Sequence, residues 1–109
     1  MDLTGRVLEE IRRERDRQVT ERAGAVGEEN DAGEFSAAAA CYALDASCLE
    51  HPLKGSSMPY EVVRRHGWPW GGADWKPEGT RRNLLIAAAL IVAEIERIDA
   101  RAERSRRCA

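Results

Sequence analysis

The chain has 109 residues, 33% of them charged and 43% hydrophobic, with a formal net charge of −2. That length suits one domain with a modest core, and the near balance of charge excludes the basic excess of a nonspecific nucleic-acid binder. The longest apolar run, Leu84 to Ala93, is about half the ~20 residues that a bilayer span needs, so no membrane association is expected.

Charged sequence follows Met1-Asp2-Leu3-Thr4 at once, so no signal peptide is expected and the protein reads as cytoplasmic. Residues 3–22 predict a first helix. Leu3, Val7, Leu8, Ile11 and Val19 give it a narrow apolar stripe, and Glu9, Glu10 and an arginine-rich run occupy the other faces. Residues 23–30, with Gly24 and Gly27, read as a loop. Asp31-Ala-Gly-Glu34 has the form of a capping box, with Asp31 as N-cap, and opens a helix to about Ser47 through Phe35, Ala38, Ala39, Tyr42 and Ala46. Ala37 to Ala40 let a neighbouring helix approach closely.

Cys41 and Cys48 lie two turns apart on one helix face, too distant for a bridge, and with Cys108 they make no disulfide framework. Residues 48–58 connect this helix to a short one that starts near Ser57 and Pro59, runs through Arg65 and stops at Gly67. All three tryptophans then fall between Trp68 and Trp75, in a loop punctuated by Pro69, Gly71, Gly72 and Pro77. The last helix runs from Thr80, its expected N-cap, to about Arg104. Leu84, Ala88, Ile91, Ile95 and Ile98 are spaced 4-3-4-3, with Ile91 expected at the buried centre, and residues from about 105 are expected to form a disordered tail. These elements predict a single all-α domain: a small bundle of three main helices plus a short helix and a tryptophan-rich loop. So much apolar surface on the second and last helices makes a monomer undersized, and a homo-oligomer is expected.

Several segments, in order, resemble a set of small bacteriophage and prophage proteins of unassigned function. They are Arg15-Asp-Arg-Gln18, Gly33-Glu-Phe-Ser-Ala-Ala-Ala-Ala-Cys-Tyr-Ala43, Trp68-Pro-Trp70, Asp74-Trp-Lys-Pro77 and the stretch from Arg81 to Arg97. Together they hold 39 residues, about a third of the chain, spread in order between residues 15 and 97. Glu28-Glu-Asn-Asp31 stands where such proteins carry an acidic, histidine-rich run, and Asn83 stands where an acidic residue is common. The resemblance implies a phage-related helical protein without supplying an activity.

Trp68, Trp70, Trp75, Lys76, Arg81 and Arg82 converge on the start of the last helix and are the candidate ligand-binding residues. Two arginines in a first turn oppose the positive end of the macrodipole unless an anion neutralises them, and helix N-termini commonly hold phosphates. A tryptophan stacked on an attached base adds about 1–3 kcal/mol. The plainer explanation pairs the arginines with Glu28, Glu29 or Asp31 and lets the tryptophans cover the core. A divalent-metal site from Glu34 and Glu94, with Glu28 or Asp31, is the alternative, in the manner of small all-helical nucleotide pyrophosphohydrolases. Against it, Glu94 and Glu96 are two apart and point differently, while Glu34 already has a capping role. His51 and His66 share no ligand spacing with each other or with the cysteines. Tyr42 and Tyr60 are candidates for a pocket wall or for the core. The expected function is a noncatalytic phage-type binding protein, with no cofactor, metal or catalytic residue, that captures a nucleotide-like anion or a host defence component. The alternatives are the Mg²⁺-dependent pyrophosphohydrolase and a protein–protein inhibitor with no small-molecule ligand.

Overall fold

The computed structural model describes residues 2–21, 32–50 and 67–108. The predicted short helix at 57–65, the loop at 23–30, and the readings placed on Glu28, Glu29, Asp31, His51, Tyr60 and His66 lie outside these residues. Three α-helices, α1 (Leu3–Glu21), α2 (Glu34–Glu50) and α3 (Thr80–Cys108), and a single 3-10 turn at Gly72–Asp74 make up the described secondary structure. The chain is all-α. No helix among the described residues is long and apolar enough to cross a membrane.

Local chemistry sets the helix starts. The Asp2 Oδ1 accepts the Gly5 N–H at 2.7 Å and so caps α1. At α2 the cap sits two residues later than Asp31. The Gly33 carbonyl accepts the first helical hydrogen bond, from Ala37 N–H at 3.0 Å, and Gly33 turns the chain at φ +90°, where a side chain is strained. Glu34 Oε1 reaches back to accept the Ala32 N–H at 2.7 Å, a different bond from the expected capping box, in which Glu34 would serve Asp31. α3 begins likewise one residue ahead of the expected Thr80 cap, because the Gly79 carbonyl accepts Asn83 N–H at 2.9 Å. At its other end α3 continues past Arg104 to Cys108, with Arg106 and Arg107 in the last turn complementing the macrodipole.

α3 is the central helix and packs against both α1 and α2, more extensively against α2. The core joins Phe35, Ala38, Ala39, Cys41 and Tyr42 of α2 to Ile86, Ala87, Leu90 and Ala93 of α3, with Trp75 buried beside them. Ala38 and Ala89 are fully buried, as a close helix approach over small side chains requires. Burial pushes the Cys41 thiol above its ordinary range.

Two expectations about the apolar stripes fail. Ile91 is half exposed (50%), and so are Leu84, Ile95 and Ile98; α3 turns the neighbouring face, centred on Leu90 at 3%, to the core. On α1, Leu3, Val7, Leu8 and Val19 are exposed whereas Glu14 and Gln18 are buried against α3. Both corrections have one cause. α3 meets α2 along a face that mixes alanines with Ile86 and Leu90, and α1 docks on it through ion pairs, so the stripe from Leu84 to Ile98 and the aliphatics of α1 are left outside.

Candidate functional site

Around the tryptophan loop, rings pack edge to face. The Trp68 centroid lies 5.3 Å from Trp70, 4.9 Å from Trp75 and 5.7 Å from Tyr42. Trp70 meets Phe35 at 6.0 Å and Trp75 meets Tyr42 at 4.8 Å. Gly71 makes the turn possible by giving its carbonyl to both Asp74 N–H (2.9 Å) and Trp68 Nε1–H (3.0 Å). The tryptophans therefore lie against α2, Trp68 and Trp70 partly buried and Trp75 buried. The Trp75 Nε1–H is buried without an acceptor.

Asn83 fixes the loop's exit. Fully buried, it accepts the Glu78 N–H at 2.7 Å through Oδ1 and donates through Nδ2 to Asp45 Oδ2 at 2.8 Å and to the Glu78 carbonyl at 3.3 Å. Burial raises the Asp45 carboxyl above its ordinary value, against the lowering effect of the Asn83 hydrogen bond.

The two arginines of the first turn of α3 diverge. Arg81 is exposed and forks onto Glu10 of α1, its Nη1 and Nη2 donating to Oε1 at 3.2 Å and Oε2 at 2.5 Å. That hydrogen bond and charge hold the Glu10 carboxyl below the usual range and the Arg81 guanidinium above its own. Arg82 turns to the buried Glu14, donating from Nη2 to Oε1, and also lies 3.4 Å from Glu78. Glu14 takes further hydrogen bonds from Arg17 Nε (2.8 Å), Arg17 Nη2 (2.6 Å) and Gln18 Nε2 (3.1 Å). Burial alone pushes the Glu14 carboxyl up, but Arg17 and Arg82 outweigh it and hold it below the usual carboxylate range. Partners for the arginines were foreseen on Glu28, Glu29 or Asp31; those described here are Glu10, Glu14 and Glu78, two of them on α1.

This arrangement leaves a cleft of about 470 Å³ between α1, the tryptophan loop and α3, lined by Arg17, Gln18 and Glu21, by Tyr42, by Asp74, Lys76, Pro77 and Glu78, and by Arg82, Ile86 and Leu90. Of the six residues singled out in the sequence, Lys76 and Arg82 meet in it; Arg81 faces a separate surface groove with Leu3, Val7 and Glu10. The tryptophan rings lie behind it, joined to it through Tyr42. Lys76 is exposed and makes no ion pair with a described residue. Gln18 donates both to Glu14 and, at 3.4 Å, to the Ile86 carbonyl, which fixes its amide orientation and leaves the buried Oε1 with no donor. Arg17 and Gln18 are not legible as site residues in the sequence, although Arg15-Asp-Arg-Gln18 is one of the segments that carries the phage resemblance; Tyr42, a candidate for a pocket wall or for the core, serves as both.

No protein-family model matches the chain, and neither a curated protein nor a solved structure does.

Of the carboxylates weighed as metal ligands, the two among the described residues, Glu34 and Glu94, serve other partners. Glu94 accepts Ser36 Oγ–H at 2.8 Å and Arg97 Nε–H at 2.5 Å, which keep it below the usual range although burial pushes it up. Glu34 serves α2 itself. Among the described residues no three acidic, histidine or cysteine side chains gather as a metal would require.

Proposed function

We propose that the protein is a noncatalytic binding protein of phage type, acting in the cytoplasm of a bacterial host, whose cleft takes up a nucleotide-like anion. The observation that carries this reading is the exposed Lys76, without an ion partner among the described residues, on the same cleft as Arg17 and Arg82. A cleft of about 470 Å³ has the size of a small-ligand site. Its lining balances three cations with the carboxylates of Glu21, Asp74 and Glu78. Such a mixture suits a ligand that brings one or two phosphate charges together with hydroxyl or amino donors, rather than a bare polyanion. Arg17 and Arg82 keep their hold on Glu14, so Lys76 is the group that answers the added negative charge.

Thermal shift and tryptophan fluorescence against nucleoside monophosphates, cyclic nucleotides and cyclic dinucleotides, with and without Mg²⁺, test the reading. Trp75, in contact with the cleft residue Tyr42 and next in sequence to Lys76, is the expected reporter. Binding that weakens at least tenfold in Lys76→Ala, without turnover, is the expected result. Silence at millimolar ligand overturns the nucleotide reading and leaves capture of a host protein; release of phosphate or pyrophosphate overturns the noncatalytic one.

A further inference from the structure

α3 has two apolar faces, and the core of the described residues uses one of them. Ile86, Ala87, Leu90 and Ala93 meet the core. On the outer side Leu84, Ile91, Ile95 and Ile98 are each about half exposed (49, 50, 53 and 51%), with Val92 beside them at 37%. Scattered exposed aliphatics need no explanation, but a contiguous row of them on one helix marks an interaction surface. The row is spaced 4-3-4-3 through Ala88 and continues in step to Ala102. That is the seam spacing with which one helix packs against another of the same kind. We propose that this face is the interface of an antiparallel homodimer, α3 against α3, a contact independent of the cleft.

The side chains themselves select a second copy and its direction. Pairing two α3 helices antiparallel about Ala93 sets Ile91 against Ile95, Ala88 against Ile98 and Leu84 against Ala102. Each outer layer then opposes a large residue with a small one, which fills the seam without voids. A two-fold axis closes this arrangement and leaves no free copy of the surface. Charge disfavours the parallel alternative, since in the antiparallel one the segment from Arg101 to Arg107 lies beside Arg81 and Arg82, which are already paired with Glu10 and Glu14. Arg101 to Arg107 holds four arginines and one glutamate, and every side chain there is exposed. Parallel helices would set two such segments side by side, whereas antiparallel ones send them to opposite ends and align the macrodipoles favourably. Length is sufficient, since α3 has 29 residues and extends about 43 Å at 1.5 Å per residue.

Sedimentation velocity on the full chain across micromolar to hundreds of micromolar protein tests the interface. A dimer is expected, weakened at least tenfold in Ile95→Lys and in Ile98→Lys, with helical content by circular dichroism retained; Ile98 lies beyond the core residues of α3, so its variant folds even if Ile95→Lys does not. Spin labels on Cys108, in a Cys48→Ser background, report direction: about 45 Å between labels is expected for the antiparallel register and roughly 15 Å for a parallel one. A short distance overturns the antiparallel assignment. A dimer insensitive to both substitutions places the interface elsewhere and overturns the proposal. So does a monomer at every concentration, which would mean that this face is open or covered by the chain's own residues.

Discussion

Replacing Glu14 by Gln isolates the electrostatic joint between α1 and α3. Glu14 is 2% exposed and accepts from Arg17, Arg82 and Gln18 through both carboxylate oxygens. The amide has nearly the same shape but one acceptor oxygen, and its NH₂ group must face a guanidinium or the Gln18 NH₂. At least one arginine therefore loses a hydrogen bond, and both lose the Glu14 charge, though Arg17 keeps Glu21 and Arg82 keeps Glu78. Breaking a fully buried ion pair typically costs 3–5 kcal/mol, but the side chains of Arg17 and Arg82 are 41% and 37% exposed and can turn to water. The discounted cost is about 2–3 kcal/mol, a substantial share of the roughly 5–15 kcal/mol that holds an ordinary domain together. pH supplies the check on mechanism. The folded carboxyl is held below its ordinary value, so its contribution is complete above the unfolded value of about 4.3 and is lost as pH falls through the lowered folded one. Urea unfolding of both proteins at pH 7 and near pH 3 should show a gap of ~2–3 kcal/mol that shrinks in acid, because only the native protein has a carboxylate to protonate. A variant as stable as the native chain, or a gap that does not change with pH, would refute the argument.

Leu90→Ala should cost about 2–5 kcal/mol in chemical denaturation, since Leu90 is 3% exposed at the centre of the α2–α3 contact; a loss under 1 kcal/mol would mean that the core lies elsewhere. Asn83→Asp removes two donors and confronts the Asp45 carboxylate at hydrogen-bond distance, so the variant should lose about 3 kcal/mol at pH 7. Its deficit should narrow on acidification, as a proton regained by the pair restores a donor; a deficit that widens in acid would count against the like-charge account.

The helices were legible in the sequence because periodicity is local, although α2 and α3 each open on a glycine, Gly33 and Gly79, rather than on Asp31 and Thr80. The direction each helix faces was not. Periodicity reports that Leu84, Ile91, Ile95 and Ile98 share a face, but not whether that face meets the chain's own core. The alanine-rich face beside it, with the lower apolar bulk, is the one that α2 approaches. On α1 the aliphatic stripe pointed the wrong way for a related reason. Glu14 and Gln18 are buried because Arg82 and the Ile86 carbonyl await them 68 residues away in sequence, and no local pattern encodes such a partner. The same distance hid half of the cleft. Lys76 and Arg82 stood out beside the tryptophans, whereas Arg17 and Gln18 join them only once α1 docks.

From Ile98 to Cys108 every side chain of α3 is exposed, yet the helix continues. Within one copy of the chain no burial holds these turns. Nucleation is already supplied by the buried stretch around Leu90, so each added residue costs only the propagation step, whose equilibrium constant lies near unity even for good helix formers. The C-terminus of α3 is therefore a soft boundary, set by the arginines opposing the negative end of the macrodipole. Heat and salt are expected to draw it back turn by turn while the core stays intact, which circular dichroism would follow. The chain thus joins a rigid end, pinned by Asn83, to an end of adjustable length whose reach depends on its surroundings rather than on the stability of the domain.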